Sequence, residues 1–187
     1  MNGLSIFLHA ELLQIVDETK LKFINVDIVE IIQKAAEKSI IVVRSLIEQP
    51  DINASKELSK DTDFLFPFTL ACETKNLKLI TISIGCLHKL ILHRAVPESS
   101  IKTIVKILSN LVLQGVEVQL KILQTIPPLL NNYQSLQGDL LIEALIICFH
   151  LQDLKVNVVS NTASATLRQL VINIFDKVLL EDETNDK

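Results

Sequence analysis

The side chains of this sequence that could carry chemistry are a few histidines and cysteines, and their spacing does not suit catalysis or metal binding. They are His9, His88, His93 and His150, and Cys72, Cys86 and Cys148. His88 and His93 are five residues apart, whereas a zinc-binding pair on one helix face is four apart. Cys86 stands two residues before His88, so on a helix a nucleophile and base would point to different sides. We therefore expect a protein that is not an enzyme, with no metal, no cofactor and three small, buried cysteines.

The composition favours helices packed on helices. Hydrophobic residues make up 49% of the 187 residues, aromatic residues only 4%, and there are four glycines. So few glycines leave little material for tight hairpin turns between strands. The formal net charge of -4 and the scattered lysines argue against nucleic-acid binding, which normally needs a basic stripe.

Segments for export or membrane insertion are not expected. The longest apolar run, residues 140–151, is too short to span a bilayer and contains Glu143. The first 20 residues lack the basic start and the cleavage site of a secretory signal. An odd number of widely spaced cysteines argues against a disulfide framework and fits a reducing, cytosolic compartment.

Apolar residues recur at helical spacing along almost the whole chain. The pattern predicts helices over about 4–16, 28–46, 63–72, 77–93, 97–114, 116–130, 136–153 and 161–178. The stretch from Glu48 to Asp63 is predicted as a loop. Gly115 is expected to end a helix in the left-handed conformation, and Pro127-Pro128 to kink or break the next one.

Helices restart about every 20 residues from Leu77 onward, so a helical hairpin recurs about every 40 residues. That spacing is typical of armadillo and HEAT-like repeats. We predict an all-α, armadillo/HEAT-like solenoid of about seven to eight helices. Residues 1–180 form this domain, and residues 181–187 form a charged, disordered tail.

Two short stretches allow either a structural or a recognition role. "ACETKNLK" (71–78) is a polar corner, either a solvated turn with Asn76 in the left-handed conformation or a recognition corner at the rim. "NTASATLRQL" (161–170) opens a helix with small, hydroxylic residues. These either cap the helix at Ser160, Asn161 or Thr162 and let a neighbour pack closely, or form a binding surface.

A different hypothesis is direct membrane binding. Lys102, Lys106 and Lys121 could form a small basic patch that reads acidic phospholipid. Each lysine near an anionic surface contributes about 1 kcal/mol, so three would give weak adhesion.

The two polar stretches also carry a family resemblance. "PFTLACETKNLKLITISIGCLHKLI" (67–91) resembles a block near the start of the large Arf-type guanine-nucleotide exchange factors. "NTASATLRQLVINIFDKV" (161–178) is similar to the block that closes their N-terminal domain. With "LKILQTIPPLLNNY" and "ALIICFHLQDLKVNVVSNTA", the similarity is greatest to the Mon-type, or Ysl-type, Golgi scaffolds, which lack the exchange-factor catalytic domain.

The resemblance implies a dimerisation and cyclophilin-binding (DCB) domain. Such a domain is an armadillo-like block that self-associates, packs on the helical region after it and helps place the full-length protein on trans-Golgi and endosomal membranes. Implied partners are an Arl-family small GTPase and, through the full-length protein, a Dop-type scaffold and a phospholipid flippase. Within the two polar stretches, the expected partner-binding residues are Lys75, Asn76, Asn161, Thr162, Arg168 and Gln169.

Overall fold

The structure is a computed structural model that describes residues 3–20, 26–49 and 53–185, and these form helices joined by short corners. The α-helices are α1 (Gly3–Thr19), α2 (Val26–Glu48), α3 (Ala54–Leu58), α4 (Phe66–Cys72), α5 (Leu77–Leu92), α6 (Ile101–Asn110), α7 (Val116–Asn132), α8 (Asp139–Gln152) and α9 (Asn157–Asn185). Short 3₁₀ turns, Asp63–Leu65 and Glu98–Ser100, lead into α4 and α6.

The helices stack in two layers. One layer contains α1, α5, α7 and α9, and each of these helices contacts the next in that order. The other layer contains α2, α4, α6 and α8, again with each helix in contact with the next. Contacts of α1 with α2, of α4 with α5 and of α8 with α9 join the layers. This alternation of consecutive helices between two layers is the arrangement of a helical solenoid.

The all-α prediction is confirmed, and the described residues contain no strand. The described residues contain nine α-helices, and the one beyond the predicted seven to eight is the five-residue α3, in the segment predicted as a loop. Within the described residues, no helix is both long enough and apolar enough to cross a membrane.

Polar side chains tie successive corners together along the side of the stack where α5 and α7 end. Asn132 donates through Nδ2 to the carbonyl of Ile91 (3.0 Å), at the end of α5. The Glu98 carboxylate accepts the backbone N–H groups of Gln134 (3.3 Å) and Ser135 (3.2 Å). These bonds join the corner after α5 to the corner after α7.

The predicted loop between Glu48 and Asp63 contains a helix, which corrects the sequence reading. Residues 50–52 of this loop lie outside the described residues. The Asn53 carbonyl Oδ1 accepts the N–H of Lys56 (3.3 Å) and starts α3, whose Ala54 and Leu58 are buried. Two apolar residues four apart were therefore the missed signal in a segment dominated by polar and charged residues.

The prediction for Gly115 was wrong, and the proline pair does not break α7. α6 ends at Asn110, and Gly115 precedes α7 as its N-cap with a φ of -57. α7 continues through Pro127 and Pro128 to Asn132. Burial of Ile126, Leu129 and Leu130 explains this, because core packing on either side outweighs the loss of two N–H donors.

The glycine that does need a positive φ is Gly138, which precedes α8 with φ 54 and ψ -129. A Cβ at this position meets no atom within 4 Å, so the cost of substitution is backbone strain alone. We expect Gly138→Ala to lower the free energy of unfolding by about 1–2 kcal/mol in urea titrations. Gly85→Ala, in the interior of α5 with open space at its Cβ, should raise it by roughly 0.5 kcal/mol. Equal effects of the two substitutions would contradict this assignment.

The last helix continues to Asn185, into the segment predicted as a disordered tail. The domain boundary at residue 180 stays a prediction, and residues 186–187 lie outside the described part of the chain.

Candidate interaction surface

The last hairpin of the stack, α8 and α9, exposes large apolar side chains. On α8, Ala144, Ile147, Cys148 and Leu151 are buried. The opposite side of α8 exposes Ile142, Ile146 and Phe149, the last with 54% of its surface accessible. We call these three residues the α8 stripe. The sequence of α8 is apolar on nearly every side, but among the described residues no further hairpin covers this side.

A second stripe runs along α9. Val171, Ile172, Phe175, Val178 and Leu179 are all exposed, with Phe175 at 65% and Leu179 at 61%. We call these five residues the α9 stripe. Val171 and Val178 follow the same helical spacing as the buried Leu167 and Leu170, but the structure leaves both valines exposed. α9 packs on α7 through a different face, where Asn173 donates to Asn131 (3.0 Å) and Lys177 donates to the Leu130 carbonyl.

The exposed side of α9 follows a seven-residue repeat. Val158, Ala165, Ile172 and Leu179 are seven residues apart, and Asn161, Arg168 and Phe175 form the companion series between them. All seven are exposed. Alternating steps of three and four are the pattern with which a helix presents a seam to a partner helix. The first half of the seam alternates apolar and polar residues, and its second half is entirely apolar. This spacing in the sequence was the signal that could have located it.

The small residues at the start of this helix pack it closely against α8. α9 begins at Asn157, so residues 160–162 lie inside the helix and do not cap it, contrary to one sequence reading. Ala163 is fully buried, Ser160 donates to the carbonyl of Gln152 (2.7 Å), and Ser164 accepts from the Gln152 side chain (3.1 Å). The small side chains let α8 and α9 approach closely, and the hydroxyl groups of Ser160 and Ser164 form hydrogen bonds with Gln152 at the end of α8.

The four predicted recognition residues on α9 take different positions. Asn161 and Arg168 are exposed on the seven-residue seam, in line with Phe175. Gln169 is exposed beside the seam and donates to Asn173 (2.7 Å). Thr162 is half-buried, and its hydroxyl donates to the Val158 carbonyl (2.7 Å). Asn161 and Arg168 are therefore placed to contact a partner of the α9 stripe.

The other predicted pair occupies a separate corner. Lys75 is exposed between α4 and α5, where it lines a shallow hollow with Ile107 and Gln114. The corner between α6 and α7 therefore stands between Lys75 and the start of α9. The structure does not bring Lys75 and Asn76 together with the residues on α9.

Asn76 holds the fold together at this corner. Its φ of -85 excludes the predicted left-handed conformation, and it is the N-cap of α5. Its Oδ1 accepts from the N–H groups of Lys78 (2.9 Å) and Leu79 (3.2 Å), and its Nδ2 donates to Glu18 of α1 (3.3 Å). Lys78 pairs with the same carboxylate at 2.7 Å, and Glu18 is buried. This cluster joins α1 to α5.

The Glu18 cluster predicts a pH-dependent contribution to stability. Hydrogen bonding from Lys78, opposed by burial and assisted by Asn76, lowers the pKa of Glu18 below its ordinary value of 4.5. A carboxyl group with a lowered pKa stabilises the fold above its unfolded-state pKa, and this contribution is lost as the pH falls through the folded-state pKa. Glu18→Gln should therefore lower the free energy of unfolding by about 1 kcal/mol at pH 7, because water around Lys78 screens the pair.

In urea titrations at pH 7 and at about pH 3, the difference between Glu18→Gln and wild type should shrink toward the acidic side. Glu30→Gln removes the partner of Lys34 in an exposed pair on one helix, and it should have no measurable effect. If Glu18→Gln lowers the free energy of unfolding by the same amount at both pH values, the loss comes from the shape of the side chain and not from its charge.

The lysines of the lipid hypothesis do not share a helix. Lys102 and Lys106 are exposed one turn apart on α6. Lys121 is half-buried on α7, in the other layer, where it lies near His88. Lipid binding by these residues stays a prediction.

Burial shifts the pKa values of the three thiols and of His88. All three cysteines are free and buried, as the sequence predicts. Burial raises the pKa of Cys72 and Cys148 to about 12 and that of Cys86 well above its ordinary range. Burial, together with Lys121 and Lys89, lowers the pKa of His88. Among the described residues, no three side chains of His, Cys, Asp or Glu are grouped to hold a metal ion.

Comparison with known proteins places the whole helical stack in one family. Residues 2–182 match the domain described as DCB: Mon2/Sec7/BIG1-like, dimerisation and cyclophilin-binding domain. Over 154 residues the chain is 34% identical to the protein MON2 homolog of Xenopus laevis. The aligned region covers 81% of this chain and 9% of that protein. Over 159 residues it is 33% identical to the protein MON2 of Saccharomyces cerevisiae. The aligned region covers 83% of this chain and 9% of that protein.

A Drosophila melanogaster protein MON2 homolog is 38% identical over 120 residues, which is 64% of this chain and 7% of that protein. The chain thus spans less than a tenth of the length of these curated relatives. Because the match extends from the first helix to the α9 stripe, the chain belongs to the Mon2/Sec7/BIG1-like family of dimerisation and cyclophilin-binding domains.

Proposed function

We propose that this chain is a non-catalytic docking domain of a Golgi and endosome trafficking scaffold, and that its α9 stripe binds a second copy of the domain. The observation that carries the proposal is the row of exposed apolar side chains along α9, from Val171 to Leu179. Apolar surface of this kind, grouped in a row, is typical of a protein interface.

The geometry of α9 supports pairing with another helix. The seam from Val158 to Leu179 spans 21 residue steps and is about 32 Å long at 1.5 Å per residue. Two copies that cross around a two-fold axis would place Phe175 and Leu179 of one against the same residues of the other. The α8 stripe would widen the contact towards the roughly 800 Å² per partner that stable interfaces bury.

The non-catalytic part of the proposal is supported by the environment of the candidate nucleophiles. A thiol reacts as its thiolate, and burial holds Cys72, Cys86 and Cys148 in the neutral form. Thiol alkylation of the folded chain should therefore leave binding unchanged.

Self-association can be measured on this chain by sedimentation velocity from about 1 to 100 μM, a range that resolves weak and strong dimers. The expected result is a monomer–dimer equilibrium that shifts with concentration. A monomer at every concentration would overturn self-association. The α9 stripe would then be assigned as the contact surface for the helical region that follows this domain in the full-length protein.

Membership in the family supports the rest of the proposal. The full-length protein would be peripheral, on the cytoplasmic face of trans-Golgi and endosomal membranes, with a Dop-type scaffold and a flippase as partners through its other regions. An Arl-type GTPase would dock on this domain. Calorimetry with the GTPase loaded with a GTP analogue or with GDP should show binding of the former only. Binding of neither form would remove the GTPase from the proposal without affecting self-association.

A further inference from the structure

A groove on the first half of the stack offers a second surface, separate from α8 and α9. It lies between one face of α2 and the segment from Asp61 to Phe66, and its volume is about 560 Å³. A second cleft of about 480 Å³ shares Val42 and Asp61 with it and continues along α2 to Gln49. We call the two together the α2 groove.

The floor of the α2 groove is apolar and partly open. Ile31 of α2 is 48% exposed, and Phe66 at the start of α4 is 49% exposed. Ala35 and Val42 lie between them and are half-buried. An aliphatic and an aromatic side chain left open on facing sides of a groove give a partner two places to bury apolar groups.

The two sides of the groove carry opposite charge. Lys34 and Lys38 stand one turn apart along α2, and Asp61 and Asp63 lie on the facing segment. Lys34 pairs with Glu30 of its own helix at 2.5 Å. Among the ion pairs of the described residues, none joins the two sides. Glu57 and Lys60, which line the second cleft beside Asp61, pair with each other at 2.8 Å. Lys38 on one side and Asp63 on the other belong to none of these ion pairs, so each side can offer charge to a ligand.

We propose that the α2 groove binds an amphipathic helix of a partner protein. The helix places apolar side chains between Ile31 and Phe66, acidic residues beside Lys34 and Lys38, and basic residues beside Asp61 and Asp63. From Ile31 to Gln49, just past the end of α2, the groove spans 18 residue steps, about 27 Å or five helical turns. Opposite charge on its two sides fixes the direction in which the helix lies.

The charges and shape favour this occupant over others. An anionic membrane surface would be repelled by Asp61 and Asp63, which project from one side of the groove. A peptide that binds by adding a β-strand needs a sheet edge to pair with, and the described residues form no strand. A groove flanked by helices accepts another helix by ridge-and-groove packing.

The probe is a fluorescein-labelled designed peptide of about 20 residues, with leucines on one helical face, glutamates along one flank and lysines along the other. Two comparison peptides keep the leucine face but carry only glutamate or only lysine on both flanks. In fluorescence polarisation with this 187-residue chain, the mixed peptide should bind at least about tenfold more tightly than either comparison peptide.

Variants of the chain locate the bound peptide. Phe66→Ala, and separately Lys34→Glu with Lys38→Glu, should each weaken binding of the mixed peptide by about tenfold or more. The matched control is Lys102→Glu with Lys106→Glu, an exposed pair with the same four-residue spacing on α6, and it should keep wild-type affinity. Circular dichroism of each variant confirms that it is folded.

Three outcomes would overturn the proposal. One is no binding of any peptide at about 1 mM chain, and another is equal binding of all three peptides. The third is loss of self-association in Phe66→Ala, which would assign the groove to a second copy. The groove and the α9 stripe are distinguishable, because groove variants should leave sedimentation unchanged and α9 variants should leave peptide binding unchanged.

Discussion

Replacement of Phe175 and Leu179 by aspartate together is expected to raise the dissociation constant of the dimer at least about a hundredfold. Each large apolar side chain at the centre of an interface contributes roughly 2 kcal/mol, and every 1.4 kcal/mol is a factor of ten. Aspartate adds a further cost, because two like charges would meet across the two-fold axis. Sedimentation velocity should show a monomer where the wild-type chain is dimeric.

The same substitutions should leave the fold intact. Both side chains are largely exposed in the single chain, and exposed substitutions usually change the free energy of unfolding by less than about 0.5 kcal/mol. Leu113→Asp is the matched control, since Leu113 is 87% exposed but lies in the corner between α6 and α7. Wild-type sedimentation of the double variant, or an equal loss in Leu113→Asp, would contradict the assignment of the interface to α9.

The sequence predicted helices well because their core faces repeat over many residues. In α6, Ile101, Ile104, Val105 and Leu108 repeat at helical spacing, and all four are buried. Spacing also predicted the solenoid, since each hairpin has to bury its faces on its neighbours. Short elements such as α3 escaped notice because five residues carry too little of a period to recognise.

Corners were harder to predict because side chains far apart in the sequence decide their conformation. Asn76 is an N-cap whose amide also reaches Glu18, 58 residues earlier. Only the folded chain brings these residues together, so local turn preference misassigned Asn76 as left-handed. Gly115 and Gly138 show the same limit, since both precede a helix and only Gly138 has a positive φ.

The candidate surfaces could be predicted only in part. Polar residues at 161 and 168 were noticed for their chemistry, and they lie on the exposed seam of α9. The apolar part of that seam was not separated from the core, because Val171 and the buried Leu170 are neighbours in sequence and equally apolar. Which of two adjacent apolar residues is buried depends on the neighbouring helix, and periodicity within one helix cannot decide it.

The largest loss of stability is expected from Phe68→Ala, at about 3–5 kcal/mol. Phe68 is fully buried, and its ring meets that of Phe64 edge to face at 5.8 Å between centroids. The short helix α4 that carries it contacts α2, α5 and α6, so a cavity here loosens the junction of both layers. For a chain of this size the melting temperature should fall by roughly 6–20 °C.

Phe66→Ala is the comparison variant, because it truncates the same type of side chain at a position that is not buried. Phe66 lies two residues earlier in the same helix, but it is 49% exposed in the α2 groove. Its truncation removes little buried surface and should lower the free energy of unfolding by about 1 kcal/mol or less. Similar losses for the two variants would mean that α4 does not anchor the layers. A stable Phe66→Ala that no longer binds the amphipathic peptide would show that this short helix supplies core packing through one side and a docking surface through the other.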